Sequence, residues 1–94
     1  MPSKPKNVDP LKREWIRGQS CIIGSGCVGV TQCCHLRHGV HKDDREMFPG
    51  CAQHHTEHHS LGTVNFNIKY GIDLADECAK YHKQYLDYTL WRAG

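Results

Sequence analysis

Residues 51–59 read CAQHHTEHH, one cysteine and four histidines in nine positions. Gly50 precedes the run, Ser60-Leu61-Gly62 follows it, and no glycine or proline interrupts it. The spacing predicts a helix of about two and a half turns. At 3.6 residues per turn His55 and His59 lie about 40° apart around the axis, so both rings leave from one face. His54 stands about 100° from His55. A thiolate at Cys51 is favoured by the positive end of the helix dipole and lies near the His54 ring. One helix can thus give Cys51 and His54 to one ion and His55 and His59 to another. His54 and His58 are also four apart and share a side with Cys51, so spacing alone leaves the register of the pairs open.

Upstream, residues 19–34 read QSCIIGSGCVGVTQCC. Three glycines between Ile23 and Val30 argue against helix and predict a tight knuckle followed by a strand. Cys21 and Cys27 flank the knuckle with five residues between them rather than the usual two to four. With Cys51 and His54 they complete a tetrahedral zinc set, and Cys33 is a reserve ligand. A staple of this kind suits a chain of 94 residues, whose core is thin. Residues 35–41, HLRHGVH, continue as a strand with a turn at Gly39. His35 sits on that strand, and a neutral imidazole of ordinary basicity can take a proton from water. Residues 42–50, KDDREMFPG, read as a polar loop that re-enters the core at Met47 and Phe48.

Outside this region Asp9, Pro10 and Gly18 bracket a short helix, with a left-handed glycine at its end and Leu11 and Trp15 on one packed stripe. Residues 1–8 read as a flexible basic arm. Thr63 caps a short helix ended by Gly71, and Asp73 caps a longer one to about Tyr88. Leu74, Cys78, Tyr81, Tyr85 and Tyr88 form its apolar stripe. Cys78 is packing and His82 incidental. The domain thus spans 9–94, with a finger core at about 19–62 and C-terminal helices at about 63–90.

Composition limits the function classes. Hydrophobic residues are 38% of the chain, mean hydropathy is −0.64, and no apolar run reaches the ~20 residues of a membrane span. The charged N-terminal stretch lacks the apolar core of a signal peptide. Six cysteines can form three disulfides. Seven of the eight histidines and five of the six cysteines, however, fall within residues 21–59. Reduced cysteines among histidines point to metal thiolates in a cytoplasmic compartment. A net charge of +2 neither demands nor excludes a nucleic-acid partner.

The run CCHLRHG, then Asp44 with Pro49 and Cys51, then CAQHHTEHH, resembles the HNH nuclease family. It most resembles the small phage-encoded HNH proteins, including the Ref-type recombination-enhancement nucleases. The resemblance covers about residues 19–62. It implies an α+β fold built on a zinc-stabilised ββα-metal, treble-clef-like finger with added N- and C-terminal helices. It implies a metal-dependent endonuclease that hydrolyses DNA phosphodiesters, leaving from the 3′ oxygen. His35 would be the general base. Asp44 would orient it or assist the metal, with Asp43 one position off. Arg37 would contact phosphate, and His55 and His59 would hold a catalytic divalent ion such as Mg²⁺, Mn²⁺ or Zn²⁺. A recombination or replication protein is an implied partner. Four departures stand out: Cys34 precedes the base where His or Asp is usual, Asp44 stands where Asn is expected, the knuckle is wide, and Gly50 replaces a leucine. The competing readings are a non-catalytic zinc-finger DNA-binding module and a purely structural zinc protein.

Overall fold

In the computed structural model, which describes residues 7–93, the element order is α1 (Pro10–Arg17), β1 (Thr31–His35), β2 (Met47–Cys51), α2 (Ala52–Tyr70) and α3 (Leu74–Ala93). The chain is thus a small α+β molecule, with a two-stranded antiparallel sheet and three helices among the described residues. Most of the basic arm expected at 1–8 lies outside the described residues. Asn7 is docked: its side chain donates to Asp43 at 3.1 Å and its carbonyl accepts from the Asp44 amide at 3.2 Å.

α1 begins as its sequence dictates. Asp9 Oδ1 accepts from the Lys12 amide at 3.1 Å, and Pro10 occupies the first turn, where its missing N–H costs nothing. Two expectations fail here. Gly18 is right-handed (φ −82°, ψ −6°), because the Gly18 and Gln19 amides close tightened last-turn bonds to Trp15 and Ile16. The buried face is Lys12 and Ile16, while Leu11 is exposed, because α1 docks on the sheet. Trp15 packs instead against Tyr81, Tyr85 and Tyr88 of α3.

The segment read as a polar loop ends in β2. Thr31 pairs with Cys51, Cys33 with Pro49 and His35 with Met47, so β1 stops at His35 and the chain turns through a single 3₁₀ turn at Gly39–His41. Tertiary pairing overrides the poor strand propensity of Pro49 and Gly50. Pro49 lacks a donor but its carbonyl is used, accepting from the Ile22 amide of the knuckle at 3.0 Å. Gly50 is there for space: a Cβ at this position would lie 2.7 Å from Cys34 Sγ.

α2 follows β2 without a linker and breaks at Gly62 (φ 80°, ψ 166°), so its two halves are the two expected helices, meeting at a kink. Thr63 does not cap its second half; the hydroxyl donates to the Leu36 carbonyl at 3.1 Å and meets His58 Nε2 at 2.9 Å. Gly71, left-handed, closes the helix, and Asp73 Oδ1 accepts from the Ala75 and Asp76 amides to start α3. Cys34, Phe48, Phe66, Leu74 and Cys78 form the buried core, which joins the sheet to both long helices. Among the described residues no helix is long and apolar enough to cross a membrane.

Candidate metal centre and adjoining histidine cleft

The knuckle and the start of α2 bring four ligands together. Cys51 Sγ lies 3.1 Å, Cys21 Sγ 3.4 Å and Cys27 Sγ 3.8 Å from His54 Nδ1, and all four ligand atoms fall within 4.8 Å of one another. Ligands at ordinary Zn–S and Zn–N lengths around one tetrahedral ion stand roughly 3.4–3.8 Å apart. These four residues are therefore positioned to hold a metal ion, and the three-thiol donor set suits zinc.

Local backbone geometry prepares the thiolates. Burial opposes ionisation of Cys51, but the His54 and Val28 amides outweigh it and bring the thiol down to about 6. Cys27 is pushed up to about 11, by desolvation and by the hydrogen bonding and charge of Cys21 and Cys51. Crowded thiols of this kind ionise together only when a cation joins them. Cys33 is not in this group: its thiol donates to the Arg13 carbonyl at 3.1 Å, on the other side of the sheet. Cys34 is not available either, since it lies in the core with its thiol pushed far up by burial.

A second constellation lies on another face of α2. His35, His38, His55 and His59 line one open cleft of about 350 Å³, together with Gln32, Cys33, Arg13, Arg17 and Lys42. His55 Nε2 and His59 Nε2 face each other at 3.2 Å. His55 Nδ1 donates to Gln32 Oε1 at 2.7 Å, so Nε2 carries the lone pair. Burial, and then the neighbouring histidines, lower the His55 pKa and keep the ring neutral, as a ligand must be. Two nitrogens on one ion at ordinary bond lengths stand roughly 3.0–3.4 Å apart, and the His55–His59 separation falls in that range. His58 points inward instead, between Phe48 and Phe66, and burial first, then His38, takes its pKa down to about 4. The register left open in the sequence is thus resolved as Cys51 with His54 and His55 with His59.

His35 is nine-tenths buried and meets Asp44 through Nε2 at 2.8 Å. Asp44 also accepts from the Asp9 amide at 2.7 Å and from Arg13 through both carboxylate oxygens, at 2.7 and 3.0 Å. Burial pushes the Asp44 carboxyl up, and these bonds from Arg13, Asp9 and His35 more than reverse it. Asp44 therefore stands behind His35 and orients it. Asp43 is committed elsewhere, to Arg45 at 2.8 Å and to Asn7.

Other placements correct the sequence reading. Arg37 does not line the histidine cleft; it is exposed, pairs with Glu46 at 3.7 Å and borders a separate recess with His41, Asp43 and Arg45. His35 ends the strand, so the chain has turned away before Arg37. Arg13, Arg17 and Lys42 occupy the cleft instead. Arg13 and Arg17 are one helical step of four apart, a spacing that marks a shared face. His82 is not incidental: its Nδ1 lies 2.9 Å from Lys12 Nζ, a buried ammonium that also donates to the Asp44 carbonyl at 2.6 Å. Nothing in a lone sequence signals that pair. Comparison with protein-family models, with curated proteins and with solved structures gave no match.

Proposed function

We propose that this protein is a metal-dependent endonuclease of the HNH, ββα-metal type that hydrolyses phosphodiester bonds in DNA, with the treble-clef-like finger as its core. The observation that carries the reading is the cleft itself. A carboxylate-backed histidine and a chelating histidine pair border one open space, rimmed by cationic side chains.

With Asp44 accepting from Nε2–H, the proton of His35 is fixed and Nδ1 keeps its lone pair. His35 then takes the proton from an attacking water as its oxygen closes on phosphorus, while the opposite P–O3′ bond breaks and the released 3′ oxygen takes a proton from solvent. Arg17 and Lys42 on the rim hold the phosphate backbone, which positions the strand without reading its sequence. A divalent ion held by His55 and His59 would supply charge stabilisation for the crowded phosphate and the leaving oxygen. A zinc held by Cys21, Cys27, Cys51 and His54 would tie α2 to the knuckle, and the histidine pair on α2 would then keep its bearing on β1.

Relaxation of supercoiled plasmid tests this. His35→Ala is expected to slow nicking by about 10²–10⁴-fold, the ordinary contribution of a general base. The variant should retain its zinc and its far-ultraviolet circular dichroism. An unchanged rate removes His35 from the mechanism. Salt-sensitive DNA binding by a wild-type protein that never nicks would leave a zinc-stapled DNA-binding module.

A further inference from the structure

We infer that the histidine cleft is a nitrogen-donor site for a borderline transition ion such as Zn²⁺, Co²⁺ or Ni²⁺ rather than Mg²⁺, with His38 as the positioning residue that holds His59 in its ligating pose. The inference rests on the reading of His55 and His59 as ion ligands. It adds which ions they choose and what keeps them in place.

The choice of ion follows from the donors. Apart from two guanidiniums and an ammonium, which cannot ligate a cation, the cleft is lined by imidazoles, a thiol and an amide, and no carboxylate is among the described lining residues. The nearest candidate, Asp44, has both oxygens committed to His35, Arg13 and the Asp9 amide. Mg²⁺ binds through oxygen ligands and sheds water reluctantly, whereas imidazole pairs suit zinc, nickel and their neighbours.

The pose of the pair has two different supports. His55 is fixed by its bond to Gln32. His59 is exposed and has no such anchor; its ring lies flat on His38, with centroids 4.0 Å apart and planes 11° from parallel. His38 in turn meets the edge of His58 at 4.9 Å, and His58 is wedged between Phe48 and Phe66. The ligating ring is thus braced on the core through two further histidines, the first stacked on it and the second meeting the first edge-on. His38 Nε2 is buried without a hydrogen-bond partner, so polar bonding does not explain the placement of its ring.

The test uses the full chain loaded with one equivalent of Zn²⁺, titrated with Co²⁺ and separately with Mg²⁺ by calorimetry and visible absorption. A second equivalent of Co²⁺ should bind about 100-fold or more tightly than Mg²⁺, without the near-ultraviolet thiolate band that exchange at the cysteine site would produce. His55→Ala should abolish this second equivalent. His38→Ala should weaken it about tenfold or more, the usual effect of losing a supporting group around a ligand. His38→Phe, which keeps the stacked ring without nitrogen, should restore it. Equal or tighter Mg²⁺ binding, or Co²⁺ binding indifferent to His55→Ala, overturns the site. Failure of His38→Phe to rescue, in protein that keeps its zinc and circular dichroism, overturns the positioning role. Selective Co²⁺ binding by a protein that does not nick plasmid would leave this inference standing and remove the nuclease reading. Nicking by a protein without Co²⁺ preference would do the reverse.

Discussion

Asp44 leaves neither oxygen to solvent. One carboxylate ties His35 at the end of β1, Arg13 in the middle of α1 and the amide of the Asp9 cap, so it joins the helix to the strand while it orients the histidine. Its pKa is lowered from 3.8, with the bonds from Arg13, Asp9 and His35 outweighing burial. A carboxyl held lower in the folded than in the unfolded chain stabilises the fold above its unfolded value, and that contribution is lost as pH falls through the folded value. Asp44→Asn should therefore cost about 1–3 kcal/mol at neutral pH, because it removes the ion pair and leaves buried donors short of an acceptor. The gap in urea midpoint between wild type and variant should stay constant from pH 7 to about 5, and start to close only as pH falls through about 4. A gap that closes already between pH 7 and 5 would assign the stabilisation to another group. The sequence marked Asp44 and, through the resemblance, His35, but not Arg13 or the Asp9 amide. A residue's type and position can be read off the chain, whereas Arg13 reaches it across 31 residues and only through the docking of α1.

At the level of elements, α2 was the most legible part of the chain. Its uninterrupted histidine run, the cysteine at its start and the glycine at its bend all acted as their local chemistry dictates. β2 was not legible, because Met47–Cys51 contains a proline and a glycine and becomes a strand only by pairing with β1 and accepting from the knuckle. The same logic separates two cysteines that spacing alone does not. Cys27 reaches the His54 group from the knuckle, whereas Cys33 faces the Arg13 carbonyl from β1. Cys27→Ser should reduce the affinity for structural zinc by at least about tenfold and lower the melting temperature with it, since binding energy at such a site is folding energy. Cys33→Ser should keep one zinc per chain and melt near the wild type. Elemental analysis after dialysis against a weak chelator, with thermal melts, checks both. Zinc loss in the Cys33 variant and not in the Cys27 variant would reverse the assignment.

Over the whole molecule, the modest net charge of +2 conceals a division of its cations. Arg37 is matched by Glu46, and Arg45 by Asp43, both around the recess that is separate from the histidine cleft. At the cleft Arg13 is neutralised by Asp44, but Arg17 and Lys42 form no ion pair among the described residues. Matched charges change little when a polyanion approaches, whereas free ones displace its counterions. Arg17→Ala and Lys42→Ala should therefore each weaken duplex DNA binding and lower the slope of log K against log salt concentration by about one. Arg37→Ala, despite the phosphate role its neighbours in sequence imply, should change neither by much. Fluorescence anisotropy of a labelled duplex across a sodium chloride series measures all three. If Arg37→Ala alone reduces the slope, the nucleic acid lies over the opposite recess, and the histidine cleft is not where the strand is held.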